Sequence, residues 1–257
     1  MKTVWISALS KNQPRVAAVS AHLKRYGLQC KGHFWTDEPD KLAWRVALDS
    51  LREARADLWL ILADNVEMAK PTVRYGLTLL STALHASLGP GCPIAMLWDS
   101  PSTLELPPLL QNAVQLEEAS PSWAAKIVAK ANLTAKTSAL DYRFEVVGDE
   151  RLGQWFEIGP RTGGWNGVVF GVTGADVEID FQAVGPQGGL PEKAVIEFPQ
   201  QGLKLQVGSR EFSAWALRNS VDSSCSYYAR VKGCPTAILF MPYADESETE
   251  ATVLQLS

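Results

Sequence analysis

The sequence predicts an α/β domain followed by an all-β domain, and three observations carry that expectation. In the first half, short apolar runs alternate with stretches of helical periodicity. Two of those runs, DLWLILAD and CPIAMLWDS, are apolar almost without a break, the pattern of parallel strands buried on both faces. Around Asp141 the grammar changes: Gly and Pro become frequent, helical periodicity fades, and short strands recur between turn residues.

The elements follow in order. KTVWISAL is rich in β-branched and aromatic residues and reads as a strand, closed by Ser10, Lys11 and Asn12. Pro14 opens a helix running through Tyr26, with Val16, Val19, Leu23 and Tyr26 on one face, and Gly27 ends it. LQCKGHFW is an edge-like strand. DKLAWRVALDSLREARA is a helix with Trp44, Leu48 and Leu51 on one stripe and Leu42 and Val46 beside it. After DLWLILAD, Pro71 opens a helix to about Ala86, with Val73, Leu77, Leu80 and Leu84 on one face. The loop SLGPG leads into CPIAMLWDS, and PSWAAKIVAKAN is a last helix capped by Ser120 or Ser122. This alternation predicts right-handed crossovers and a parallel sheet covered on both faces. The boundary is expected between Asn132 and Leu140, giving an α/β domain over 1–135 and a β-rich domain over 140–257.

In the second half, DYRFEVVG, GQWFEIGP, WNGVVFGVTG, ADVEIDFQAVG, KAVIEFP, LKLQVGS, CSYYARVKG and TAILFMPY read as strands of a sandwich or a barrel. The alternation in ADVEIDFQAV puts Val177, Ile179 and Phe181 on one face and Glu178 and Asp180 on the other. SREFSAWALRNS reads as a short helix or an irregular strand, and ATVLQL as a closing strand after an acidic run.

Composition narrows the function. A formal net charge of -4, without a basic stripe, argues against a nucleic-acid partner. The apolar run at the N-terminus is broken by Ser7, Ser10 and Lys11, unlike a secretory signal, and no window reaches the roughly 18–20 apolar residues of a membrane span. A cytoplasmic protein is expected. Cys30, Cys92, Cys225 and Cys234 are dispersed and only His22, His33 and His85 accompany them, so no zinc spacing exists and no metal is expected. The β-rich half contains no histidine, which removes a Ser-His-Asp arrangement and leaves Cys225 without a base.

In an open parallel sheet, ligands bind beyond the carboxyl ends of the strands, where strand order reverses. That directs attention to the loops SALSKN, WTDEPDKLAW, ADNVEMAKP and WDSPS. Ser7, Ser10, Lys11 and Asn12 precede a helix whose amino end favours an anion, although the same residues also serve as plain capping. Asp64, Asn65 and Asp99 end buried strands and either line a pocket or cap loops. Arg74 either contacts phosphate or is a solvated helix residue. In the second half RTGGWNG reads as an exposed hairpin tip, making Trp165 and Asn166 interaction candidates. Trp155, Trp165, Trp215, Tyr227, Tyr228 and Tyr243 form either a binding face or core.

VWISALSKNQPRVAAVSAHLKRYGLQ, AWRVALDSLREARADLWLILADN, KPTVRYGLTLLSTAL and PIAMLWDS together resemble a bacterial TIR (Toll/interleukin-1 receptor) domain over residues 3–130. The resemblance implies a flavodoxin/TIR-like fold. In members that cleave NAD, a glutamate on the helix opening W-V-R-Y-E stabilises positive charge on the ribose as nicotinamide leaves. Aligning TVRYG on that motif puts Gly76 at the glutamate and Thr72 at the tryptophan, so the carboxylate is missing. A cationic transition state without it forfeits about several kcal/mol. The other reading of Gly76 is close packing beneath Trp59 or Trp98. The resemblance therefore implies a signalling or recognition protein without catalysis of its own. It would bind NAD or a related nucleotide, or a protein partner, or a second copy of itself. The alternative is an NAD glycohydrolase or N-ribosyl hydrolase in which Glu67, or else Glu38 or Asp40, supplies the charge.

Overall fold

The computed structural model describes residues 1–88, 92–133, 141–193, 195–243 and 250–257. The tip of the SLGPG loop, most of the expected domain boundary and most of the acidic run lie outside them. The chain divides into two compact units, Met1–Pro39 with Ala43–Ser138, and Asp40–Leu42 with Ala139–Ser257.

The first unit is built on a five-stranded parallel sheet, β1 (Thr3–Ala8), β2 (Gln29–Phe34), β3 (Leu58–Ala63), β4 (Ile94–Trp98) and β5 (Val114–Glu117), in the order β2-β1-β3-β4-β5. Strand order therefore reverses at β1, and β2 and β5 are the edges. The connections carry α1 (Gln13–Arg25), α2 (Ala43–Ala54), α3 (Asn65–Met68) and α4 (Pro71–Leu88), and α5 (Trp123–Asn132) follows β5. One face of the sheet buries Val4, Ile6, Leu60 and Leu97 against Val19 and Leu23 of α1 and Trp123 and Ile127 of α5. On α2, Trp44, Ala47, Leu48 and Leu51 are buried, the stripe read from the sequence with Ala47 added. The leucines of that stripe each contribute about 1.5–3 kcal/mol by leaving water, and Ala47 less.

The ends of the helices depart from the pattern for identifiable reasons. Asn12 caps α1 by accepting the Arg15 amide at 3.0 Å, and Tyr26 is the C-cap, 48% exposed instead of lying on the buried face. The expected second helix is interrupted: Pro39–Lys41 is a single 3-10 turn, and Leu42, at φ 50°, separates it from α2. Ser122 takes the N-cap position of α5 without a side-chain capping bond. The edge strand β5 was not anticipated; two of its four residues are polar, and only Leu116 is buried.

The second unit is a sandwich of two antiparallel sheets. One holds β10 (Gln200–Val207), β11 (Arg210–Asp222), β8 (Gly164–Thr173), β13 (Ala237–Pro242) and β14 (Thr252–Gln255) in that order. The other holds β6 (Tyr142–Asp149), β7 (Gly153–Pro160), β12 (Cys225–Lys232) and β9 (Glu178–Pro186). Between them a run of rings, Phe144, Phe156, Phe170 and Tyr227, packs with successive centroids 5.7 to 6.0 Å apart. SREFSAWALRNS, from its second residue on, belongs to the 13-residue strand β11, and ATVLQL contains β14, as a closing strand should.

Three expectations for this half fail. Among its described residues KAVIEFP forms no strand: Glu197 N donates to Asn219 Oδ1 at 2.7 Å, Asn219 Nδ2 to Val195 O at 3.0 Å and Arg218 N to Glu197 O at 2.9 Å, so one side chain and one backbone bond hold this segment in place of a ladder. Ile179 and Phe181 do not share a face. Arg230 pairs with Phe181 and the next residue, Val231, with Ile179, a bulge that buries Ile179 and leaves Phe181 43% exposed. RTGGWNG is not a hairpin tip, because β7 and β8 belong to different sheets. Trp165 and Asn166 instead pair with Val221 and Ser220 of β11. Among the described residues, no helix is long and apolar enough to cross a membrane.

Candidate functional site

The fold puts a ligand site at the carboxyl edge, near the β1/β3 reversal, and alongside it the ends of β3, β4 and β5 are bridged by a residue the sequence reading did not single out. Arg15, in the first turn of α1, reaches across the strand ends. Its Nη2 donates to Ala63 O at 3.1 Å and Leu97 O at 3.0 Å, the last turns of β3 and β4. Its Nε donates to Glu118 Oε1 at 2.6 Å, just beyond β5, and the Arg15 side chain is 9% exposed. One guanidinium thus ties α1 to three neighbouring strand ends. A signal existed: a cation in the first turn of a helix opposes the positive end of the macrodipole, so it needs a partner elsewhere.

The expected residues around this edge are engaged in structural work. Ser7 is fully buried, and its Oγ accepts from Trp59 Nε1 at 2.8 Å. Ser10 is half-buried, Lys11 is exposed, and Asn12 caps α1. Asp64 caps α3, its Oδ1 accepting from Glu67 N at 2.8 Å, while its other oxygen is buried without a hydrogen bond. Asn65 Nδ2 donates to Ser100 Oγ at 3.2 Å, and Ser100 Oγ donates to Asp99 Oδ1 at 2.9 Å. The structure therefore brings Asn65 and Asp99 together through Ser100. The fallback carboxylate, Glu67, is paired at 2.7 Å with Lys70, whose pKa rises because Glu67 bonds it. Among the described residues, no group of three or more His, Cys, Asp or Glu is placed to hold a metal ion.

Gly76 faces neither Trp59 nor Trp98. A Cβ built there would lie 2.8 Å from Cζ2 of Trp35, the residue following β2, which is 6% exposed and whose amide donates to Ala8 O at 2.8 Å. The glycine is the seat of an indole, and the packing reading holds with a different tryptophan. Arg74, two residues before Gly76, is half-buried, and its carbonyl accepts from Thr78 Oγ1 at 2.8 Å. Thr72, at the position of the family's tryptophan, donates to Asp37 Oδ2 at 2.8 Å.

Beside Trp35 sits His33, whose Nδ1 accepts from Trp5 Nε1 at 3.0 Å. Burial pushes the His33 pKa down to about 4 from the ordinary 6.5. A base whose folded pKa lies below its unfolded value resists protonation only while folded. Its contribution is complete above about pH 6.5 and is lost as the pH falls toward 4, and desolvation lowers the pKa of His85 in the same direction although that residue is exposed. We expect urea-unfolding stability to decline across that window, and the decline to be shallower in His33→Phe, which leaves His85 as the other histidine with a lowered pKa.

The aromatic residues of the sandwich are dispersed and form no single face. Tyr227 is core, Trp155 and Tyr228 belong to a small outer cluster with Ala183, and Tyr243 lies with Val169, Ala214 and Ala216 under the Arg218 guanidinium, 4.8 Å from its ring centre.

No protein-family model and no curated protein matches the chain. Among solved structures, a pilus assembly-related protein from Burkholderia pseudomallei aligns with 54% of this chain and 95% of its own, at 15% identity and a TM-score of 0.37. A likeness of that degree leaves the fold to rest on the strand order itself.

Proposed function

We propose that the first unit is a TIR-like recognition module that works through protein contacts and breaks no bond of its own, with the β-sandwich as its sensor or interaction unit. The observation supporting this reading is Arg15, held by Ala63 O, Leu97 O and Glu118 at the edge where an open parallel sheet otherwise receives a nucleotide. The partner is another protein or a second copy of this chain, in the cytoplasm.

The rival reading is an NAD glycohydrolase. It is tested by incubating the full chain at high concentration with NAD and measuring released nicotinamide and, separately, the thermal shift. The expected result is no nicotinamide and no shift, against about 2.7 kcal/mol for a ligand at 100 times its dissociation constant. Nicotinamide release that Glu67→Gln abolishes would overturn the proposal, and a saturable shift without cleavage would replace protein recognition by nucleotide binding.

A further inference from the structure

We propose that the free edge of β10 pairs with the same strand of a second copy of this chain, antiparallel, about a two-fold axis at Leu205. This goes beyond the recognition reading, and none of the residues involved belongs to the first unit. β10 ends its sheet, and among the described residues β11 is its one strand partner. Its eight residues contain no proline, and Lys204 is the one charge that guards it. The opposite edge, β14, is only four residues long.

The adjoining turn decides which backbone groups are free. Val207 and Arg210 flank the two-residue loop of Gly208 and Ser209, with Gly208 at φ 59°. Such a loop closes with its flanking residues hydrogen-bonded to each other. Alternation then makes Leu205 with Phe212 and Leu203 with Ala214 the next hydrogen-bonded pairs. Counting from Tyr243 N, which donates to Gly167 O at 3.0 Å, through β8 to β11 gives the same phase. The N–H and C=O of Lys204 and Gln206 therefore point away from β11, and both residues are exposed.

About Leu205 the strand is complementary to itself. A second copy centred there sets each Lys204 against the other copy's Gln206, two hydrogen-bonded pairs that use all four outward groups of each strand. On one face Leu205 meets its own copy, and each Leu203 meets the other copy's Val207, so every cross-strand pair on that face is apolar. Leu203 and Leu205 already pack there against the cluster of Val169, Ala214 and Ala216, which the added strand extends. On the other face no like charges oppose, because each lysine meets a glutamine. Centring on Lys204 would set lysine against lysine, and centring on Gln206 would set Leu203 against Ser209.

One strand pair is a small interface, so the dimer should be weak and concentration-dependent. The test is analytical sedimentation of the full chain up to about 1 mM, the range of weak association, with two variants at the exposed Gln206. The expected result is a reversible monomer–dimer equilibrium. Gln206→Glu, which sets an acid against each Lys204, should tighten it about fivefold, and Gln206→Lys should loosen it at least as much, the size of two cross-strand charge pairs. At a formal net charge of -4, general repulsion between copies would give the opposite order, so the direction identifies the register. Glu211 lies opposite Gln206 within the chain, and urea unfolding checks that both variants remain folded. A chain that stays monomeric, species that grow beyond the dimer, or a dimer whose affinity the two variants do not shift in these opposite directions would overturn the assignment. Self-association through the first unit falls in the last class, since changes at Gln206 would leave it unaltered.

Discussion

Replacing Gly76 by glutamate is expected to destabilise the first unit by about 3 kcal/mol or more and to leave NAD uncleaved. In an open helix, losing a glycine is a gain of about 0.5–1 kcal/mol. Here the new Cβ would lie 2.8 Å from Cζ2 of Trp35, an atom of a rigid ring. Trp35 is buried and its backbone is hydrogen-bonded to Ala8, so the ring can move away only by turning about its side-chain bonds toward the cleft between β2 and α2 that it lines. Overpacking of about 1–3 kcal/mol outweighs the propensity gain even for Gly76→Ala, and the glutamate adds a carboxylate forced against an apolar ring. Trp35→Ala alone should cost about 3–5 kcal/mol through the cavity it leaves. Combined with Gly76→Ala it should cost less than the sum, because removing the indole removes the clash that Gly76→Ala creates. Urea unfolding of the four proteins measures the coupling. A stabilising Gly76→Ala would mean that the indole is not what keeps this position a glycine.

The second large effect is expected at Arg15. Arg15→Met keeps the length of the stem and removes the guanidinium, leaving the Ala63 and Leu97 carbonyls and the Glu118 carboxylate without these bonds. Losing a charged partner from a site that is 9% exposed should cost about 2–4 kcal/mol. Glu118→Gln should cost about 1 kcal/mol or less, since that side chain is more exposed and an amide oxygen still accepts from Nε. Equal losses from the two changes would show that the ion pair matters and the carbonyl bonds do not. A small loss at Arg15 would mean that water replaces it at the strand ends, and the closed-edge argument would fail with it.

The fold was legible where local pattern and burial agree. The unbroken apolar runs of β3 and β4 are buried at every position, and Pro71 opens α4 as its place before a periodic stripe suggests. What escaped was set by partners distant in sequence. The four-residue strand β5 exists because β4 offers it an edge, and the bulge that turns Phe181 outward arises from its pairing with β12. The site was less legible than the fold. Ser7, Asn12, Asp64 and Asp99 are polar residues at the expected edge, yet their hydrogen bonds go to Trp59 and to local caps and turns. Gly76 stood out correctly as unusual, but its reason, Trp35, lies 41 positions earlier and no periodicity connects them.

The bridge from Arg15 to Glu118 spans 103 residues of chain. Its acceptors come into register only after β3, β4 and the end of β5 are side by side. Closing so long a loop before the sheet exists has an entropic cost that one guanidinium does not recover. The bridge therefore belongs to the last stage of folding and should be absent from the transition state. Loss of Arg15 should then leave the refolding rate nearly unchanged and appear as faster unfolding. In the cell that difference governs persistence: the side chain that closes the sheet's carboxyl edge also sets how long the first unit stays folded once made.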